Sequence, residues 1–273
     1  MGTSNLYKGP KGNALLPSDY IGEPDNQDLD TGQDAPAEGD DQPDDEELTQ
    51  ENNTPKVSWT SAKRTFSNQI GKRNPDVRSI AKTYTKASGG YKRAAKTSAS
   101  SKRVAGNIIT LFSGTPEAIR QRIEQIGVVF DGRTTKEVFN DLYSHLCAGS
   151  ALREEAVTDR ALSETFSELF ESELMTDQAL DMFKPELLEF LVTHFITNSI
   201  YYKLLNEVAF GELTGDKSTA DITRIEQDLK AFIDGLVNGR VPEHLREGIT
   251  HGEVNKLVDE LYEDCYKVME GME

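Results

Sequence analysis

A cluster of lysine and arginine side chains is the part of this sequence best suited to chemistry, and that chemistry is the binding of negatively charged groups. Twelve basic residues lie within residues 63–103. The candidate binding residues among them are Lys82, Lys86, Lys92, Arg93, Lys96, Lys102 and Arg103. Each lysine or arginine that neutralises a phosphate releases counterions, so such a segment predicts contact with DNA or RNA that needs no sequence recognition.

A protein-facing or self-paired basic surface explains the same residues. Acidic stretches flank the basic cluster on both sides, and the net charge of the chain is −17, which opposes long-range attraction to nucleic acid. The cluster lacks the strong aromatic and basic amphipathicity of a helix that lies on a membrane. The sequence therefore leaves a protein partner and a nucleic-acid partner open, and disfavours a membrane.

No motif predicts catalysis or a cofactor. The segment GELTGDKST, residues 211–219, approaches a phosphate-binding loop, but Asp216 directly precedes Lys217 and its carboxylate would face the phosphate. Neither Cys147 nor Cys265 lies in an electropositive setting that would lower its pKa, and Cys265 continues an apolar helical stripe. We therefore expect no catalytic residue.

Histidines near carboxylates are the nearest approach to a metal site. His145 lies four residues after Asp141, and His244 lies three residues before Glu247 and seven before His251. Glycines interrupt the second group, and neither group forms a recognised ligand signature. We expect no metal site, and interpret the histidines as residues of helix surfaces or core edges.

The charge is sorted into zones that suggest how the chain is organised. Residues 1–56 carry 3 basic and 14 acidic side chains, residues 57–110 carry 12 and 1, and residues 111–273 carry 15 and 32. From residue 18 to residue 56 almost no side chain can enter a core, which predicts disorder. The predicted units are listed here: a presented N-terminal peptide (1–17), a disordered acidic tether (18–56), a basic helical segment (57–112) and an acidic all-α domain (113–273).

Apolar residues recur three and four positions apart from residue 58 onward, which predicts helices. Trp59, Ala62 and Phe66 mark the first, and a single helix is expected from Tyr91 to Phe112. Pro185 opens a long helix of low polarity that we expect to lie centrally. No alternating strand pattern competes, so the predicted fold class is all-α, a helical bundle preceded by the acidic tail and the basic segment.

The expected environment is the cytoplasm. The two cysteines are 118 positions apart without metal-ligand spacing, which fits a reducing compartment. No apolar window reaches the ~18 residues that a membrane span needs, and the N-terminal residues lack the pattern of a secretory signal.

Two segments of the chain resemble a known family. The opening MGTSNLYKGPKGNALLP resembles the start of the B component of the Qat anti-phage defence systems, through Thr3, Ser4, Gly9, Pro10, Gly12, Leu15, Leu16 and Pro17. The segment SIAKTYTKASGGYKRAAKTSASSKRVAG is similar to the Lys/Arg-Ala-Ser-Gly-Gly region of that family. The resemblance implies a role in antiviral defence as a non-catalytic accessory protein.

The same resemblance implies partners and a modification site. The implied partners are a QueC-like enzyme, an ATPase and a TatD-like nuclease. The basic cluster itself keeps an alternative function open, that of a nucleic-acid-binding adaptor that uses residues 63–103 to present DNA or RNA to a nuclease partner. QueC-type enzymes activate a carboxylate with ATP for attack by an amine, and Gly2 is the best candidate amine in this chain. An α-amine has a pKa of ~7.7–8 against ~10.4 for lysine, so its free-base fraction at neutral pH is on the order of a hundred times larger.

Overall fold

Helices make up the regular secondary structure of the part of the chain that the structure describes. The structure is a computed structural model, and it describes residues 57–147, 153–174, 185–209, 217–241 and 253–272. No strand occurs within these ranges, and the prediction of an all-α fold is confirmed. The predicted presented peptide and acidic tether, residues 1–56, lie outside the described residues.

The described ranges contain ten helices, which we number in chain order. Their bounds are α1 (Trp59–Gln69), α2 (Val77–Ala87), α3 (Tyr91–Lys96), α4 (Ala99–Phe112), α5 (Pro116–Gln125), α6 (Thr135–Leu146), α7 (Arg153–Glu171), α8 (Pro185–Val208), α9 (Thr219–Asn238) and α10 (Val254–Glu270). They belong to one compact unit of the chain, residues 53–273.

Capping residues set where several helices begin. The Oγ1 of Thr115 accepts a hydrogen bond from the backbone N of Ala118 at 3.3 Å, and Pro116 occupies the first turn of α5, as the sequence predicts. At α6, Thr134 and Glu137 form a reciprocal capping box. Such a cap contributes about 1 kcal/mol to helix stability, so these starts are defined locally.

The prediction of a single helix from Tyr91 to Phe112 is wrong, because the helix is interrupted at Thr97 and Ser98, between α3 and α4. Their side-chain hydroxyls each donate to the carbonyl of Ala94 at 3.1 Å. Serine and threonine hydroxyls compete in this way with the regular helical pattern and favour helix ends.

Helix α8 is the centre of the bundle, as its low polarity predicts. It packs most extensively against α7 and also against α9 and α4, while α10 packs against α2, α3 and α4. Along α8, Leu191, Phe195 and Ile200 are fully buried. Full burial of such a side chain contributes about 1.5–3 kcal/mol, so α8 supplies much of the stability of the bundle.

The basic and acidic segments contribute to one buried cluster. Phe66 of α1 and Ile109 of α4 belong to the same core as Leu204 of α8 and Leu261 of α10. Helix α3 has only six residues, and an isolated helix of that length is unstable in water. The packing of its neighbours therefore holds it in place. The four-part division of the chain at residues 17, 56 and 112 stays a prediction.

Candidate functional site

The cations of α2 lie on one exposed face of that helix. Arg78, Lys82 and Lys86 are four positions apart, which places them on the same side of an α-helix, and all three are exposed. The opposite side carries Ile80 and Tyr84, whose exposed fractions are 1% and 0%. Burial of the apolar side therefore fixes the direction in which the basic side points.

Two hydrogen bonds set the start of α2. The carboxylate of Asp76 accepts from the backbone N of Ser79 at 3.0 Å and caps the helix. The backbone N of Asp76 in turn donates to Oε1 of Gln69, a buried residue at the end of α1, at 3.0 Å. The only carboxylate within residues 57–110 is thus engaged in capping a helix.

The short helix α3 continues the exposed basic residues. Lys92, Arg93 and Lys96 are exposed, whereas Ala94 and Ala95 are buried at 0% and 1%. Small apolar side chains let this helix approach its neighbours closely. The cations consequently point away from the core.

The turn between α2 and α3 depends on glycine and on a residue from the end of the chain. Gly89 and Gly90 have φ values of +91° and +89°, which side-chain-bearing residues rarely adopt. This conformation brings the backbone N of Tyr91 within 2.9 Å of a carboxylate oxygen of Glu270, at the end of α10. Lys82 lies at the same place, since the end of its side chain is next to Gly271.

The two predicted binding residues on α4 have acidic partners. Lys102 forms an ion pair with Asp259 of α10 at 2.6 Å, and Arg103 approaches Glu155 of α7 at 3.9 Å. These two residues therefore match the self-paired interpretation, in which basic side chains pair with acidic side chains of the same chain. Within the described ranges, none of the predicted binding residues on α2 and α3 forms an ion pair within 4.0 Å, and their role in binding stays a prediction.

A buried lysine lies behind α3 and was not found from the sequence. Lys203 of α8 is only 8% exposed, and its Nζ donates to Thr97 Oγ1 and Ser98 Oγ, both at 2.9 Å, and to the carbonyl of Ala94 at 3.3 Å. A buried ammonium group is costly unless hydrogen bonds satisfy it. The only sequence signal was that Lys203 is the single lysine or arginine of a central helix of low polarity.

Two buried tyrosines hydrogen-bond to serines inside the bundle, and one of them, Tyr266, joins the network of Lys203 through Ser98. The hydroxyl of Tyr262 lies 2.7 Å from Ser199 Oγ, and that of Tyr266 lies 3.3 Å from Ser98 Oγ. Burial is the largest cause that raises the pKa of both phenols well above the usual value of 10. Both therefore stay protonated at any physiological pH and can act as hydrogen-bond donors inside the bundle.

A second polar cluster joins α7, α8 and α9 around Glu168. One carboxylate oxygen lies 2.7 Å from Nδ1 of His194 and accepts from Nδ2 of Asn198 at 3.1 Å. The other accepts from Nζ of Lys230 at 2.6 Å. The imidazole ring of His194 also stacks on Phe190, with ring centroids 3.8 Å apart. These three polar side chains at the carboxylate thus belong to the neighbouring helices α8 and α9.

The electrostatics of this cluster favour the ionised carboxylate. Burial alone would raise the pKa of Glu168, but the hydrogen bonds from His194, Lys230 and Asn198 outweigh it and lower that pKa to about 2. No helical spacing pairs His194 with this carboxylate, because Glu168 precedes it by 26 positions on a different helix. The arrangement can cross-link three helices, and it also resembles the carboxylate that orients a histidine in proton-transfer sites.

The two cysteines are poor nucleophiles in this fold. Burial is the main cause that raises the pKa of Cys265 to about 12, and burial together with a hydrogen bond to Asp159 raises the pKa of Cys147 to about 12. Thiolates, not thiols, attack electrophiles. The interpretation of Cys265 as a core residue is confirmed, since it is 1% exposed.

The histidine groups considered from the sequence have ordinary surroundings or lie outside the described residues. Asp141 pairs with Arg133, and this hydrogen bond is the main cause that lowers the pKa of Asp141. His244 and His251 are outside the described residues, as is most of the segment 211–219. Within the described ranges, no three His, Cys, Asp or Glu side chains are grouped so as to hold a metal ion.

The predicted modification site also lies outside the described residues. This applies to Gly2 and to the whole N-terminal recognition motif, which ends at Pro17. The helices that the structure does describe include none with both the length and the apolar character needed to cross a membrane.

Comparison with known proteins identifies a family. Residues 89–269 match the sequence model of a family described as Qat anti-phage system associated protein QatB. This range includes α3 to α9 and nearly all of α10, and it covers more than half of the chain. No curated protein and no solved structure matches the chain.

Proposed function

The chain belongs to the QatB family of proteins associated with the Qat anti-phage system, and on that premise we propose that it is a non-catalytic accessory component whose N-terminal Gly2 is offered as a substrate to a QueC-like partner enzyme. The family match supports the role in defence. The observation that carries the finer proposal is the opening MGTSNLYKGPKGNALLP, which resembles the start of this family and is followed by an acidic stretch with few core-forming residues.

The chemistry of an N-terminal glycine supports the choice of Gly2. Removal of Met1 leaves an α-amine, and a larger fraction of it is unprotonated at neutral pH than of any ordinary lysine. In the reaction that the resemblance implies, this nitrogen attacks an acyl-adenylate made from ATP and a deazapurine carboxylate. An amide bond forms, the bond to the adenylate breaks, AMP leaves, and the amine gives up a proton.

The environments of the candidate reactive side chains in the helical body support a non-catalytic role for this body. Both thiols have raised pKa values, and Glu168 is committed to donors from α8 and α9. The contacts of Glu168 join α7, α8 and α9. The proposed partners are the QueC-like enzyme, an ATPase and a TatD-like nuclease of the same system, with the helical body as their binding surface.

An insertion next to Gly2 tests the proposal. Glutamate placed between Met1 and Gly2 keeps Met1 in the protein, because a bulky second residue prevents its removal, and it moves the glycine nitrogen into a peptide bond. We expect this variant to lose the adduct and the protection against phage while its circular dichroism spectrum stays helical.

The matched control is glutamate inserted after Pro17, which adds the same residue and charge but leaves Gly2 next to Met1. This control should keep both the adduct and the protection. Retention of both by the first variant would contradict the proposal, as would equal loss of both in the two variants.

A further inference from the structure

Six exposed cations form a surface that the family assignment does not explain. We call it the α2–α3 basic face, and its members are Arg78, Lys82, Lys86, Lys92, Arg93 and Lys96. The two helices meet at the end of α10, where Glu270 accepts from the first residue of α3 and Gly271 lies next to Lys82. The three cations of α2 follow one another at intervals of about 6 Å along the helix axis.

The positive charge of this face is not neutralised by the described part of the chain. Its six members form no ion pair within 4.0 Å there, in contrast to Lys102 and Arg103 on the next helix. The carboxylates at its edges, Asp76 and Glu270, are engaged in hydrogen bonds with backbone N–H groups. A polyanion is therefore the complementary partner.

The composition of the face distinguishes between two kinds of polyanion. Protein interfaces are depleted in lysine and have an apolar centre. Four of the six members here are lysines; Ile80, Ala94 and Ala95 are buried, and Val77, Ala87 and Tyr91 are partly buried. A surface that offers mainly charge and little apolar area fits a phosphate backbone better than it fits an acidic protein.

The two aromatic residues of α2 and α3 differ in exposure. Tyr84 lies between Lys82 and Lys86 in the sequence, but it is 0% exposed and packs near Tyr266, with ring centroids 6.5 Å apart. Stacking on bases needs an exposed aromatic face. Tyr91, at the start of α3, is half-buried, and Nζ of Lys92 lies 6.0 Å from the centroid of its ring. Any stacking there would be sequence-tolerant, because every base has a π-face. We propose that the α2–α3 basic face binds the phosphate backbone of nucleic acid without sequence preference.

The negative net charge of the whole chain does not prevent this contact. At physiological ionic strength the Debye length is about 8 Å, so charges farther from the face are largely screened. Residues 57–110 carry twelve basic side chains and one acidic side chain. The local charge decides the contact energy, and the net charge mainly lowers the association rate.

The test is the salt dependence of binding by the full-length protein. The probes are two fluorescein-labelled duplexes of about 20 base pairs with unrelated sequences, titrated between about 50 and 200 mM NaCl. Binding should be equal for both sequences, and log K should fall linearly with log salt. In Lys82→Gln/Lys86→Gln we expect affinity to drop about tenfold and the slope to become shallower by up to about 1.8, since two phosphate contacts are lost.

The matched control is Lys136→Gln/Lys256→Gln, which removes the same charge from exposed positions on α6 and α10. Lys256 is about 22 Å along α10 from Gly271, beyond a Debye length from the face. This control should keep the wild-type slope. An equal loss in both double variants, an unchanged slope in the first, or capture of poly-glutamate with no binding of either duplex would overturn the inference. None of these outcomes bears on Gly2, so the two proposals fail separately.

Discussion

The Nζ of Lys203 lies 2.9 Å from the Oγ of Ser98, so a lysine of the central helix holds the junction between two helices of the basic segment. The same ammonium group donates to Thr97 and to the carbonyl of Ala94. The position of α3, and hence the direction in which its cations point, depends on a residue that lies more than one hundred positions away in the sequence.

Replacing Lys203 with methionine should therefore loosen this junction. Methionine keeps the length of the side chain but donates no hydrogen bond, and bonds from a charged group contribute about 1.5–3 kcal/mol each before desolvation is counted. We expect the free energy of unfolding in urea to fall by about 1–3 kcal/mol. Amides of residues 97–101 should also exchange faster. Lys256→Met, at a site 78% exposed, should change stability by less than about 0.5 kcal/mol. A loss of stability in Lys256→Met as large as that in Lys203→Met would contradict the assignment of Lys203 to this junction.

The pKa of Glu168 predicts a pH-dependent contribution to stability. Because its folded pKa is about 2 against an ordinary 4.5, the ionised form stabilises the fold at neutral pH, and this contribution is lost as pH falls from about 4.5 toward 2. Glu168→Gln should lower stability at pH 7, and the difference from wild type should shrink between pH 5 and pH 3. Glu189→Gln, at an exposed site of α8, should show little difference at either pH. A gap that stays constant with pH would show that Glu168 does not act through its charge.

Two glycines should respond to alanine in opposite directions. Gly235 lies in α9 with no atom within 4 Å of an added Cβ, so Gly235→Ala should raise the free energy of unfolding by about 0.5–1 kcal/mol. Gly90 has a φ of +89° at the start of α3. Gly90→Ala should therefore lower the free energy of unfolding by about 1 kcal/mol or more. Chemical denaturation of both variants decides this, and a stabilising Gly90→Ala would show that the turn is different.

The ion pair between Lys102 and Asp259 should be measurable but weak. A double-mutant cycle with Lys102→Gln and Asp259→Asn should give a coupling energy of about 0.2–1 kcal/mol that decreases with added salt. The partly exposed side chains limit the gain, since water screens the pair. A coupling near zero at low salt would remove the evidence that the α4 cations serve the fold.

The helices were largely predictable because their signals are local. Apolar spacing, the cap at Thr115 and the proline at position 185 are enough to place α5 and α8. The break at Ser98 was not predicted, because helix periodicity continues through it and the competing hydrogen bonds involve Lys203, far away in the sequence.

The sites were less predictable for the same physical reason. The sequence marks Lys82 and Lys102 alike as basic residues, and only packing against α10 gives Lys102 its acidic partner. His194 and Glu168 meet because α7 and α8 lie side by side, and no spacing along one helix reveals that. Tertiary contacts, rather than composition, separate structural charges from available ones.

The most direct test of the proposed function is the mass of the N-terminal peptide. The protein is co-expressed with the QueC-like enzyme of its own system, digested, and mapped by tandem mass spectrometry. The account predicts that Met1 is absent and that an adduct is amide-linked to the nitrogen of Gly2. An unmodified Gly2 amine in a preparation that protects against phage, or an adduct on Lys8 or Lys11 in its place, would contradict it.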